Sequence, residues 1–159
     1  MARLTLVAIP RDGRPIAAIG SLPSVAHEPV AAMVALYRRA GYLEPWIGYL
    51  AVEAGTVVGT CAFKSTPSDG RVEIAYFTFP PHEGRGIATA MARELLRIAA
   101  AADAGLTVTA QTLPVRNASN ALLRKLGFAF VGSVHTKDDG EVWEWSRPPA
   151  AARPGEDRE

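Results

Sequence analysis

Two glycines, Gly84 and Gly86, stand one residue apart between a run patterned as a β-strand and a run patterned as a helix. The strand-like run covers 72–79, and the helical run begins at Ile87. Because glycine lets the backbone turn without a Cβ in the way, several N–H groups can point at one anion. The helix start adds its positive dipole end. The segment 83–88 therefore predicts a phosphate-binding loop, although such glycine pairs also occur in turns that bind nothing.

Two common phosphate-binding motifs do not fit this loop. A P-loop requires Gly-Lys followed by Ser or Thr, which the sequence lacks. A dinucleotide-binding fingerprint requires a third small residue three positions after Gly86, where Thr89 stands. It also requires an acidic residue at the end of the next strand, where Gln111 and Thr112 stand. Both motifs are therefore disfavoured.

Composition restricts the class of protein. The 159 residues, of which 48% are hydrophobic, are sufficient for one domain with a substantial core, which we expect over residues 1–147. Seventeen basic against sixteen acidic residues leave no basic cluster that would follow a nucleic acid. Cys61 is the only cysteine, so no internal disulfide and no cysteine-based zinc site is expected, and a reducing cytoplasm is the predicted compartment. The chain has no apolar run as long as a membrane helix requires.

Periodicity and turn signals predict the order of the elements. Strand-like runs cover 4–9, 46–52, 56–64, 71–79, 106–112, 128–134 and 141–145. Helices are predicted from Pro29 to Gly41, from Ile87 onward, and from a cap at Asn117 or Ser119 to a stop at Gly127. The pattern predicts an antiparallel meander followed by alternating strands and helices, which is an α/β (α+β) fold with a mixed sheet. The Pro- and Ala-rich, then charged, range 148–159 is expected to be disordered.

A second signature follows the glycine loop, with Asn-Ala-Ser at 117–119 and Leu-Arg-Lys-Leu-Gly-Phe at 123–128. Together with 73–79 and the loop, it resembles the GNAT N-acetyltransferase superfamily, and most of all the bacterial ribosomal-protein acetyltransferases. The acyl-CoA loop of that family reads Gln/Arg-x-x-Gly-x-Gly/Ala at a helix start. Gly86 and Ala88 match it, whereas Glu83 replaces Gln or Arg. The resemblance implies a mostly antiparallel sheet with helices on both faces.

The resemblance also implies a reaction, the transfer of acetyl from acetyl-CoA to a primary amine of a peptide or small molecule. The amine would attack directly in a ternary complex. By position, the amide of Phe77 would polarise the thioester carbonyl, and Thr78 and Phe79 would make strand-like contacts with the pantetheine arm. The remaining implied cofactor contacts are Gly84, Arg85, Gly86, Ile87, Ala88 and Thr89 for the pyrophosphate, and Asn117 in the second signature.

The chemistry requires a base, because an ammonium group must lose a proton before it can attack. Glu73 matches a family position that supplies the base, and a water chain is the alternative. The family's usual acid is a tyrosine at the position of Leu123, so Ser119 is the available hydroxyl, unless it only caps the helix. Relatives often build the acceptor pocket where Tyr42, Glu44 and Trp46 stand here.

Several alternatives stay open. A non-catalytic acyl-CoA-binding module is supported by Glu83 and Leu123 and opposed by Glu73. Another acyl donor, such as succinyl-CoA, would use the same loop. The sequence predicts no metal, no nucleic acid partner and no membrane partner, and it leaves open whether the protein acts as a monomer or a homodimer.

Overall fold

The computed structural model describes residues 3–14 and 21–149, so the predicted disordered tail lies outside the described residues from position 150 onward. The described residues form seven strands and three α-helices. In chain order they are β1 (Leu4–Ala8), α1 (His27–Ala40), β2 (Gly48–Glu53), β3 (Thr56–Phe63), β4 (Arg71–Thr78), α2 (Ile87–Ala102), β5 (Thr107–Thr112), α3 (Ala118–Lys125), β6 (Ala129–Thr136) and β7 (Gly140–Arg147). Short 3₁₀ turns at Ser24–Ala26 and Pro80–His82 precede α1 and α2.

The strands form one sheet in the order β1-β2-β3-β4-β5-β7-β6. Only β4 and β5 pair in parallel, and every other neighbouring pair is antiparallel. The parallel pair is joined by α2, as a crossover connection requires. The predicted mixed, mostly antiparallel sheet is confirmed, and so are the meander β2-β3-β4 and the closing hairpin β6-β7.

Two glycines show that the helices cover opposite faces of the sheet. A Cβ at Gly48 on β2 would collide with Met33 of α1, and a Cβ at Gly59 on β3 would lie 3.2 Å from Met91 of α2. Gly48 pairs with Ala62, which lies three residues after Gly59 and therefore points to the other face. Thus α1 packs on one face of the sheet and α2 on the other.

The third helix shares the face of α2. Thr78 pairs with Gly59, so Thr78 and Tyr76, two residues before it, point to the α2 face. The hydroxyl of Tyr76 lies 2.8 Å from that of Ser119 in α3. The helices α2 and α3 therefore flank the only parallel pair of strands in the described sheet.

Some predicted boundaries and faces need correction. The helix α1 begins at His27 rather than Pro29, and β2 begins at Gly48 because the preceding residues form a turn closed by the Trp46 amide on the Leu43 carbonyl at 2.8 Å. On α2, Ala102 is exposed, whereas the buried face is broadened by Ala92, Leu96 and Ala99. Within the described ranges, no helix combines the length and the apolar character that a membrane span needs.

Candidate active site

The parallel strands β4 and β5 separate part of the way along their length. Their pairing runs from Arg71 opposite Thr107 to Ile74 opposite Ala110. The strand β4 continues to Thr78, but in the described sheet no strand pairs with 75–78 on the side of β5. Backbone N–H and C=O groups along this segment therefore face an opening rather than a neighbouring strand.

The direction of the β4 amides follows from the hydrogen bonds at the two ends of its ladder with β3. The amide of Lys64 donates to the carbonyl of Glu73 at 2.9 Å, and the amide of Phe79 donates to the carbonyl of Val58 at 3.0 Å. The register between these bonds is continuous. Because hydrogen-bonded and non-hydrogen-bonded pairs alternate in an antiparallel ladder, every second β4 amide, counted from Glu73, faces β3.

This alternation changes the role expected for Phe77. Phe77 lies four residues after Glu73, so its amide faces β3 and is not directed toward the opening. The amides of Tyr76 and Thr78 belong to the alternate set and face the opening. The Phe77 amide therefore points away from the place where a thioester carbonyl was expected to accept its hydrogen bond. The amides of Tyr76 and Thr78 point toward that place.

The glycine loop lies at the end of β4 that carries this opening. Gly84 and Gly86 both have φ of +79°, in the left-handed region, and nothing lies within 4 Å of a Cβ built on either residue. Backbone conformation, not close packing, is thus the reason for glycine here. The first intrahelical bond of α2 runs from the Ala90 amide to the Gly86 carbonyl at 3.1 Å.

The backbone amides of this loop have no hydrogen-bond acceptor among the described residues. In the described part of the chain, neither backbone nor side chain accepts a hydrogen bond from the amides of 84–89, and no side chain caps α2. The amides of Ile87, Ala88 and Thr89 belong to the first helical turn, which has no intrahelical acceptor. Consecutive free donors at the positive end of a 16-residue helix can hold an anion.

The side chains of the loop are directed elsewhere. Arg85 forms an ion pair with Glu53 at the end of β2, and its guanidinium also lies 3.1 Å from Nδ1 of His82. Glu83 is exposed at the position where the family loop carries Gln or Arg. The backbone amides of the loop, rather than these side chains, are thus the groups without a partner in the described part of the chain.

Two hydroxyl groups meet on the α2 side of the opening. Oη of Tyr76 and Oγ of Ser119 lie 2.8 Å apart, in a part-buried contact between β4 and α3. The side chain of Asn117 caps α3, since its Oδ1 accepts from the amides of Ser119 at 3.0 Å and Asn120 at 3.3 Å. Asn117 therefore caps α3, and the Ser119 hydroxyl is hydrogen-bonded to Tyr76 instead of capping the helix. Leu123 is fully buried and belongs to the core.

Glu73 points to the opposite face, the one covered by α1. Its carboxylate lies 3.4 Å from Nζ of Lys64, and the Glu73 side chain is 27% exposed. Burial raises the pKa of Glu73, while the charge of Lys64 and its hydrogen bond to the carboxylate lower it. Burial is the larger effect, so the pKa lies above its usual value, as a base working near neutral pH requires.

A cavity of about 220 Å³ lies on the same face of the sheet as Glu73, between α1 and the strands β3 and β4. Its walls are mostly apolar, and Lys64, the partner of Glu73, lines one part of it. The residues of α1 that contribute are Pro29, Ala32, Met33 and Leu36, and those of the strands include Thr60, Ala62, Ala75 and Phe77. The cavity therefore shares β4 with the opening, from the other face of the sheet.

The three residues expected in an acceptor pocket do not line this cavity. Tyr42 packs edge-on against Tyr37, with ring centroids 4.9 Å apart, and lines a separate depression of about 780 Å³ near Arg11. Trp46 packs edge-on against Phe63 at 5.0 Å. Glu44 is exposed and precedes a cis peptide bond to Pro45.

Sequence reasoning missed the side chain of Tyr76 and predicted Thr78 only for its backbone. Tyr76 was not among the predicted site residues, although its spacing from Ile74 and Thr78 places it on the same face as both. Oγ1 of Thr78 is buried and has no hydrogen-bond partner in the described part of the chain. No group of three or more His, Cys, Asp or Glu side chains that could hold a metal occurs within 3–14 and 21–149.

A family model described as an acetyltransferase (GNAT) domain matches residues 3–129 of the chain. No curated protein sequence matches. Among solved structures, RimL, named as a ribosomal-protein alpha-N-protein acetyltransferase, aligns with a TM-score of 0.66 and 17% identity over 92% of this chain and 94% of its own. A ribosomal-protein-S5-alanine acetyltransferase from Vibrio fischeri aligns with a TM-score of 0.61 and 15% identity, covering 87% of this chain and 82% of its own.

A third similar structure contains ligands. The microcin C7 self-immunity acetyltransferase MccE, in complex with acetyl-CoA and AMP, aligns with a TM-score of 0.61 and 14% identity over 79% of this chain and 71% of its own. At these sequence identities the solved structures support only the fold. The assignment of the chain to a family rests on the family model that matches residues 3–129.

Proposed function

The chain belongs to the GNAT acetyltransferase family, and from this premise we propose that it transfers acetyl from acetyl-CoA to a primary amine by direct attack in a ternary complex. The observation that carries the proposal is the free edge of β4 over 75–78, which ends at a loop of unpaired amides. A strand edge with free N–H and C=O groups suits the amide groups of a pantetheine arm. The loop suits the diphosphate.

The residues present fit acetyl-CoA as the co-substrate. Amides of 84–89 would receive the pyrophosphate, while the amides of Tyr76 and Thr78 face the opening through which the thioester arm would pass. The buried, unpartnered Oγ1 of Thr78 lies in the last residue of β4, before the loop, where a ligand could supply its missing hydrogen bond. We expect one of these two amides, rather than that of Phe77, to polarise the thioester carbonyl.

Glu73 is the proposed base. Its raised pKa favours uptake of a proton from the incoming ammonium group, and its ion-pair partner Lys64 lines the cavity on the α1 side. The nitrogen lone pair then forms the new C–N bond, the C–S bond breaks, and the electron pair leaves on sulfur. The nitrogen loses two protons in all, the first to Glu73 before the attack and the second to solvent after the C–N bond has formed, and the departing thiolate gains one.

The cavity beneath α1 is the proposed entry for the acceptor amine. It replaces the acceptor pocket that the sequence predicted at Tyr42, Glu44 and Trp46. Its apolar walls suit the apolar part of such an acceptor, and Lys64 in its lining is the ion-pair partner of the proposed base Glu73. A peptide amine is favoured over a free small molecule, because two similar structures are named as ribosomal-protein acetyltransferases. A homodimer is retained as a proposal, supported by the exposed Phe130 and Val131 on the edge strand β6 and testable by sedimentation.

The direct test is release of free thiol from acetyl-CoA in the presence of peptide and small-molecule amines. The wild type should release thiol with at least one amine, and Glu73→Gln should lower kcat by about 10²-fold with nearly unchanged affinity for acetyl-CoA. The matched control is Glu141→Gln, which changes an exposed β7 carboxylate bonded to Ser133. Tight binding of acetyl-CoA without turnover across the amine panel would favour the non-catalytic module instead.

A further inference from the structure

The contact between Tyr76 and Ser119 joins β4 to the start of α3 beside the opening. Tyr76 belongs to the free segment of β4, and Ser119 belongs to the first turn of α3, 43 positions later in the chain. Two features hold the pair in place. The cap from Asn117 fixes the Ser119 backbone, and β3 pairs with β4 on its other side, with Cys61 opposite Tyr76.

The departing thiolate needs a proton, and the hydroxyl groups on this face of β4 and at the start of α3 are those of Tyr76, Thr78 and Ser119. Thr78 has no second donor behind it, since its Oγ1 has no hydrogen-bond partner in the described part of the chain. Oγ1 of Thr112 is held among buried side chains, where it accepts hydrogen bonds from Asn120 at 3.3 Å and from Trp145 at 3.1 Å. Leu123 carries no proton donor. Ser119 has a hydroxyl, but an alcohol that gave up its proton alone would become an alkoxide, which is far more basic than a thiolate. A second donor behind Ser119 removes that difficulty.

We propose that Tyr76 is the proton source for the departing CoA thiolate and that the proton passes through Ser119. As the C–S bond breaks, sulfur takes the hydroxyl proton of Ser119, and Oγ of Ser119 takes the phenolic proton of Tyr76. Tyr76 is left as a phenolate, which solvent water reprotonates after the products leave. Ser119 is then the catalytic residue, and Tyr76 is the positioning residue and proton reserve behind it.

The surroundings of Tyr76 agree with this role. Burial raises the pKa of Tyr76, and the hydrogen bond with Ser119 lowers it by a smaller amount. The phenol therefore keeps its proton at neutral pH. It also gives that proton up more readily than a serine hydroxyl does, which sets the direction of transfer from Tyr76 to Ser119.

The inference rests on the proposed acetyl transfer, and a double-mutant cycle tests it. Tyr76→Phe and Ser119→Ala should each lower kcat by about 10²-fold, and the double variant should be no slower than either single variant, because both groups act in one relay. Ser119→Thr, which keeps a hydroxyl, should retain most of kcat. Affinity for acetyl-CoA should stay within about twofold in every variant.

Two further measurements separate a relay from a packing effect. The kcat of the wild type should fall at alkaline pH as Tyr76 loses its proton, and this decline should disappear in Tyr76→Phe. Tyr49→Phe is the control, because it removes a part-buried phenol that donates to the Pro45 carbonyl at 2.7 Å, outside the opening. Its kcat should match the wild type.

The outcomes distinguish the two proposals. A wild type that releases no thiol with any amine would overturn both of them. A wild type with turnover whose Tyr76→Phe variant keeps full kcat, or whose two single effects multiply in the double variant, would overturn the relay alone.

Discussion

The proton affinity of Glu73 is set by two opposing influences, burial and the cation of Lys64 3.4 Å away. A carboxylate base is active only when ionised, so kcat should fall as the pH drops through its pKa. Lys64→Met removes the influence that lowers this pKa, which should therefore rise. The acidic limb of the kcat profile should move to higher pH, with little change at alkaline pH.

The control for this prediction is Lys137→Met, in the turn between β6 and β7, which should leave the acidic limb in place. The measurement is kcat from pH 5 to pH 9 under saturating acetyl-CoA and amine. An acidic limb that stays fixed in Lys64→Met would mean that Glu73 does not supply the base and that water does.

Single residues also mark the limit of what the sequence can predict. The half-buried strand around Glu73 and the free backbone of Gly86 could be inferred from neighbours in the chain. The partner of Arg85, by contrast, is Glu53, 32 positions earlier, and that of Tyr76 is Ser119, 43 positions later. No local pattern contains such pairs, because only the packed sheet brings them together.

At the scale of elements, the start of α3 fixes the position of Ser119. Oδ1 of Asn117 accepts from two amides of the first turn, and Asn117→Ala should remove both bonds. The expected cost is about 1 kcal/mol of unfolding free energy, which corresponds to a fall in Tm of about 2–4 °C. Because the cap also orients Ser119, kcat should fall in the same variant.

Asn117→Ser provides the matched comparison, since serine caps nearly as well as asparagine. Thermal unfolding and thiol release should both return close to the wild type. Recovery of stability without recovery of kcat would show that the Asn117 side chain has a role beyond capping, such as the cofactor contact predicted for it from the sequence.

Elements with strong local signals were predicted well. The hairpin β6-β7 has a turn signal at 138–140, and α2 has a long apolar period after its glycine loop. The separation of β4 from β5 after Ile74 could not be predicted, because register between strands joined by a helix depends on how that helix packs. The same limit applies to the cavity under α1, whose walls come from three elements.

On the scale of the whole molecule, the site lies where the sheet changes from antiparallel to parallel pairing. The strands β1 to β4 form one antiparallel group under α1, and β5, β7 and β6 form another. Within the described sheet, backbone pairing between the two groups is limited to the short parallel ladder from Arg71 to Ile74. A ligand in the opening would contact both groups and should therefore stabilise the fold as a unit.

Binding of acetyl-CoA should accordingly raise the unfolding temperature of the protein. At a concentration of about 100 Kd the stabilisation is about 2.7 kcal/mol, which corresponds to about 5–10 °C for a chain of this size. Gly86→Glu should abolish the shift, because it places a negative charge among the loop amides.

Gly70→Glu is the control for this prediction. Gly70 has φ of +72° and, like Gly86, nothing within 4 Å of a Cβ, but it lies in the turn before β4. Both variants strain a left-handed backbone equally, so they should lose similar stability without ligand. Only Gly70→Glu should keep the shift, and an equal shift in both would reject the assignment of the loop.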